Sequence, residues 1–107
     1  MLKIKPLKRK ADSLFSEKVR AIGSCEKCGK DYNLQCCHVI TRSNLRLRYD
    51  KKNVLCLCSG CHMWWHHEPL EAITWFMNKY PTRYKYLMKA KNEILKINYQ
   101  EEIDKLK

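Results

Sequence analysis

No apolar run in this chain of 107 residues approaches the roughly 20 residues that a membrane-spanning helix needs, so no membrane association through a span is expected. The opening stretch, Met1 to Lys10, is too charged to read as a secretory signal. Without such a signal a disulfide framework is disfavoured, and the seven cysteines are in any case an odd number. Acidic side chains are scarce. Only 11 Asp and Glu stand against 22 Lys and Arg, for a formal net charge of +11. That sign points to nucleic acid or an anionic membrane surface as partner, with simple solubility as the bland alternative. Internal repeats and low-complexity tracts are also missing, and no α/β alternation surrounds the C-x2-C pairs as it would in a redox protein.

What is present is a set of metal-binding residue types at telling intervals. A chain of 12.9 kDa supports one modest core, and chains near this size often carry a metal staple. Cys25 and Cys28 form one C-x2-C pair, and Cys58 and Cys61 form another. Two such pairs supply four thiolates, the donor set that structural zinc prefers. Gly29 suits the tight turn of the first knuckle.

The remaining punctuation predicts the elements. Met1 to Lys10 reads as a mobile basic arm interrupted by Pro6, and Ala11 to Ile22 as a helix with Leu14, Phe15, Val19 and Ile22 at helical spacing. Leu34 to Ile40 and Asn53 to Leu57 read as two strands joined by a basic stretch, and Ser59 to His67 as a helix start. Pro69 opens a further helix that ends at Pro81, and another runs from Thr82 to about Ile97. Glu101 to Leu106 reads as a short frayed turn. Trp75, Phe76 and Tyr80 are expected in the core or an interface, and Trp64 and Trp65 cannot both face it.

All four histidines, His38, His62, His66 and His67, fall inside or beside this unit. His62 and His66 are four residues apart and share one face of a helix, so both imidazoles can reach one ion. The alternative is that one of them joins the structural zinc in place of a cysteine. His38, at the end of the first strand, is suited either to be a third ligand or to deprotonate water near neutral pH. His67 reads as a structural or solvated residue.

These residues carry a family resemblance. Cys25-x2-Cys28, then Cys37-His38-Val39-Ile40, then Asn53-Val54 and Leu57-Cys58-Ser59-Gly60-Cys61-His62, with His66 beyond, resembles the HNH endonuclease family of ββα-metal nucleases. The resemblance covers roughly residues 25 to 67 and implies a metal-dependent DNA endonuclease. On it, His38 is the general base, Asn53 holds the hairpin loop and orients that base, and His62 and His66 hold the catalytic ion. Cys25, Cys28, Cys58 and Cys61 correspond to the structural zinc that many members carry. Where the family has Asp or His immediately before the base, this sequence has Cys37. A thiolate there would suit zinc or another borderline metal and not magnesium, and Cys37 pointing into the core is the alternative.

The expected fold class is therefore α+β, a small zinc-stabilised ββα-metal core with flanking helices. Its expected parts are a basic arm and N-terminal helix at residues 1–24, the nuclease core at 25–67, and a C-terminal helical extension packing on it at 68–107. Expected cofactors are structural Zn2+ and a catalytic divalent ion, Mg2+, Mn2+, Ni2+ or Zn2+. DNA is the expected partner, bound by Arg42, Arg46, Arg48, Lys51 and Lys52, with Lys3, Lys5, Lys8, Arg9, Lys10, Lys85, Lys89 and Lys96 extending the footprint. The flanks are similar to small phage-borne HNH proteins, which implies a host cytoplasmic setting and phage DNA-processing proteins as partners. Monomer and homodimer both remain open. The competing reading is a non-catalytic zinc-dependent DNA-binding or phage assembly and packaging module.

Overall fold

The computed structural model describes residues 4–93 and 98–107. The chain runs as α1 (Ile4–Arg20), β1 (Leu34–His38), a helical turn Lys51–Asn53, β2 (Val54–Cys58), α2 (Ser59–His67), α3 (Pro69–Lys79), α4 (Pro81–Ala90) and α5 (Tyr99–Leu106). This is an α+β fold, a β-hairpin and helix flanked by N- and C-terminal helices.

The hairpin organises the rest. β1 and β2 pair antiparallel with Leu34 opposite Cys58 and His38 opposite Val54. β2, Val-Leu-Cys-Leu-Cys, is buried at every position because helices cover both faces of the sheet. On one face Val54 and Cys56 pack with Phe15 and Val19 of α1 and Leu106 of α5. On the other, Leu55 and Leu57 pack with Cys37, Trp65, Phe76 and Leu87. Phe76 lies in this core as expected, and of the tryptophan pair it is Trp65 that is buried, while Trp64 packs beside Trp75. The outer edge of β2 is closed by the knuckle: Glu26 N–H donates to the Cys56 carbonyl at 2.8 Å, and Cys56 N–H donates to Glu26 Oε2 at 2.6 Å.

Several boundaries differ from the sequence expectation: α1 ends at Arg20 and not Ile22, β2 is shifted by one residue, and four larger differences have a visible cause. The basic arm is helical from Ile4; Pro6 sits in the first turn, where its missing N–H costs no helical bond, and α1 carries Ala11, Phe15 and Val19 into the core. β1 ends at His38 and not Ile40, because beyond Val39 the partner of the chain is the Asn53 side chain. The helix expected to reach Ile97 stops at Ala90, where Lys91 N–H closes the last turn on Leu87 O; residues 94–97, within the expected span, lie outside those described. The last segment is a helix and not a frayed turn. Asn98 caps it by accepting from Glu101 N–H, and Ile103 and Leu106 are buried.

Candidate metal centre and histidine cleft

The four cysteines of the two knuckles meet. α1 closes with Gly23 at φ +89°, and the chain turns through Cys25–Cys28 with Gly29 at φ +84° and its N–H on Cys25 O. Cys58 ends β2, and Cys61 lies in the first turn of α2. The sulfurs of Cys25, Cys28, Cys58 and Cys61 all lie within 4.8 Å of one another, with Cys28 and Cys58 at 3.6 Å. Four sulfurs that close suit one tetrahedral ion with bonds of about 2.3 Å. The electrostatics agree. Burial opposes the Cys25 thiolate, but N–H donors of Cys28, Cys58 and Lys27 overcome it and bring the thiol down to about 6. The Cys61 N–H at the start of α2 likewise favours the Cys58 thiolate. Burial and neighbouring sulfurs push the Cys61 thiol upward, as expected of a group that shares its charge until a cation joins it.

A cleft of about 480 Å³ runs between α1, β1 and α2, lined by Asp12, Phe15, Cys36, His38, Arg42, His62 and His66 among others. It brings together three histidines that are up to 28 positions apart in sequence. His38 is half-buried, with Nε2 at 2.9 Å from the Arg48 carbonyl. A carbonyl only accepts, so the proton sits on Nε2 and Nδ1 keeps its lone pair. Burial pushes His38 below its ordinary pKa, which favours the neutral ring.

His62 Nδ1 donates to Gln35 Oε1 at 2.6 Å, leaving Nε2 with the lone pair, and that Nε2 lies 3.1 Å from His66 Nε2. Such an approach suits two ring nitrogens on one ion at about 2.0–2.1 Å. Among the described residues no third Cys, His, Asp or Glu joins this pair in a cluster; the cluster of that kind is the four-cysteine one.

Asn53 is wholly buried and ties the loop after His38 to itself. Its Oδ1 accepts from Ile40 N–H at 2.7 Å, and its Nδ2 donates to the Ile40 and Leu47 carbonyls at 2.9 and 3.1 Å. Cys37 lies elsewhere. It is fully buried in the apolar core opposite Leu55, does not line the cleft, and desolvation pushes its thiol up to about 12. A thiol so placed reaches neither the histidine pair nor solvent.

The expected basic strip is divided by the fold. Of its five cations, Arg42 lines the cleft. Arg46 pairs with Glu93 at 3.1 Å and Asp50 at 3.6 Å, while Lys52 stacks over Tyr86 on α4. Lys51 is exposed but lines neither the cleft nor its approach. Arg48 is placed differently from the other four. At 6% exposure it turns inward, bonding both Asp12 oxygens at 3.0 and 2.7 Å and the Arg42 carbonyl at 3.0 Å, because α1 brings a carboxylate to it.

Two residues near the histidines escaped the sequence reading. Asp12 lines the cleft and also accepts from Tyr49 Oη at 2.7 Å, and Gln35 sets the His62 tautomer. Neither has a local signal, since Asp12 meets Arg48 across 36 positions and Gln35 meets His62 across 27. Among the described residues, no helix is long and apolar enough to cross a membrane. Compared with known proteins, the chain has no matching family model, and no curated protein or solved structure matches it significantly.

Proposed function

We propose that this chain is a metal-dependent endonuclease that hydrolyses phosphodiester bonds in DNA, with His38 as general base. The observation that carries the reading is the convergence of His38, His62 and His66 on one cleft, mounted on a hairpin and helix beside a cysteine cluster suited to zinc. That arrangement is compatible with ββα-metal architecture, and the basic composition suits a polyanionic substrate.

His38, neutral and protonated on Nε2, takes a proton from water through Nδ1. The Arg48 carbonyl on the opposite nitrogen then stabilises the imidazolium that forms. The deprotonated water attacks phosphorus in line and the 3′ oxygen leaves as an alkoxide that takes a proton from solvent water, giving the 5′-phosphate and 3′-hydroxyl ends that the resemblance implies. Arg42, exposed at the rim, neutralises a phosphate oxygen. His62 and His66 would hold the divalent ion, with Gln35 fixing the His62 tautomer. The chemistry the ion supplies when bound is charge stabilisation at the phosphoryl and leaving oxygens. Two imidazoles suit nickel or zinc better than magnesium.

The test is nicking of supercoiled plasmid by zinc-loaded wild type and His38→Ala, with magnesium, manganese, nickel and zinc in turn. We expect metal-dependent nicking that His38→Ala slows about 100-fold or more. Equal rates overturn the assignment of the base. Binding without cleavage in all four metals returns the chain to the non-catalytic zinc-dependent DNA-binding reading.

A further inference from the structure

The cleft takes one cation, Arg42, from the loop that the sequence marks as basic, yet positive charge reaches it from another element. A second groove of about 800 Å³ is lined by Lys5, Lys8 and Arg9 of α1 together with Arg42, Ser43 and the Asp12-paired Arg48 of the loop. Asp12, Thr41 and Arg42 line both spaces, so the groove adjoins the histidine cleft. Lys5, Lys8 and Arg9 stand at three- and four-residue intervals, the spacing of one helical face. Further along the helix Ala11, Phe15 and Val19 are buried, which fixes α1 against the core and with it the place of these cations.

Two features make the wall a receptor for anions. Among the described residues, none of Lys5, Lys8, Arg9 or Arg42 enters an ion pair. The carboxylate on the wall, Asp12, is already matched by Arg48 and Tyr49, so it does not cancel the exposed cations. Several positive groups lining one open groove, together with the hydroxyls of Thr41 and Ser43, suit the phosphates of a nucleic-acid strand.

We propose that the groove between α1 and the Thr41–Ser43 loop holds the sugar–phosphate backbone of a nucleic-acid strand and leads it to the histidine cleft. The element that grips substrate is then the N-terminal helix, outside the hairpin that carries the histidines. Delivery to the cleft rests on the nuclease reading; the grip itself does not.

The experiment uses the full zinc-loaded chain carrying His38→Ala, so that binding is measured without cleavage. Fluorescence anisotropy with a short labelled DNA duplex compares Lys5→Ala/Lys8→Ala/Arg9→Ala with a charge-matched control, Lys18→Ala/Lys91→Ala/Lys107→Ala, on exposed positions that line neither the groove nor the cleft. We expect the α1 triple to bind about tenfold or more weakly, and the slope of log K against log salt to fall by about 2–3, as for two or three lost phosphate contacts. The control should change neither by much. A charge-conserving Lys5→Arg/Lys8→Arg variant should bind as the parent does, which separates lost charge from lost folding.

Equal weakening in both triples, or none in the α1 triple, overturns the proposal. So does a loss confined to anionic vesicles with DNA binding intact. If the α1 triple loses DNA while the wild type never nicks plasmid, the groove stands and the nuclease reading falls. If nicking needs His38 but the α1 triple binds normally, the reverse holds.

Discussion

Asn53 is an amide with 0% exposure that uses its acceptor and both donor positions on backbone groups of the loop between the strands. Few side chains offer an acceptor and two donors in one plane; Asp has no donor and Leu has neither. Asn53→Ala strands one buried N–H and two carbonyls, and unmade buried bonds cost about 1–3 kcal/mol each before relaxation. We expect a loss of roughly 2–4 kcal/mol in urea unfolding of the zinc-saturated protein; a loss below about 0.5 would contradict the clamp. Because the same loop carries the Arg48 carbonyl that holds His38, the clamp also bears on the proposed base. For that base the sign of the pH effect is fixed. Burial first, then the charges of Arg42 and Arg48, lower the His38 pKa, while the Arg48 carbonyl and Asp12 raise it. A lowered pKa keeps the ring neutral to lower pH, so the acid limb of kcat/KM should have its midpoint below the ordinary 6.5. Asp12→Asn removes an opposing charge and should move the limb further down. A pH–rate profile with the limb at or above 6.5, or an upward move in the variant, would count against His38 as base.

Among the elements, those with a local cause were legible and those with a distant cause were not. The hairpin and α2 follow from β-rich runs, a knuckle and helical spacing, all within residues 34–67, and the structure departs from the expected bounds by one or two residues. The cysteine cluster was legible because the C-x2-C interval is itself a metal geometry. α1 was half legible. Phe15 and Val19 gave the helix its apolar stripe, whereas the lysine-rich first turns look like a tail until the stripe is extended back to Ala11. α5 was missed for a related reason: Ile103 and Leu106 have little periodicity of their own, and their burial depends on α1 standing over the same face of the hairpin. Arg48 and Asp12 make the point for the site. A basic run reads as solvated surface, and nothing in its neighbourhood announces a carboxylate arriving from a helix 36 positions earlier.

On the proposed function, the cysteine cluster and the histidine pair have different work across the whole molecule, and their affinities for a metal ion should differ accordingly. Four thiolates from the segments that enter and leave the hairpin at its open end tie the turn after α1 to the junction of β2 and α2, so the energy of an ion bound there would be folding energy, about 10–16 kcal/mol for structural zinc. The histidine pair draws both nitrogens from the single helix α2, within one turn, so an ion there links no distant parts of the chain. With two protein donors it would also hold an ion far more weakly than four thiolates do. Dialysis against a mild chelator should therefore leave one zinc per chain and an unchanged far-ultraviolet circular dichroism spectrum, while abolishing plasmid nicking. Adding nickel or manganese should restore the nicking. A strong thiol-competing chelator should remove the remaining zinc and unfold the chain. Metal content by plasma emission, followed beside ellipticity and nicking, reads all three steps. Loss of fold and of nicking together at the first step would mean that one site serves both purposes, and the division between cysteine scaffold and histidine chemistry would fail.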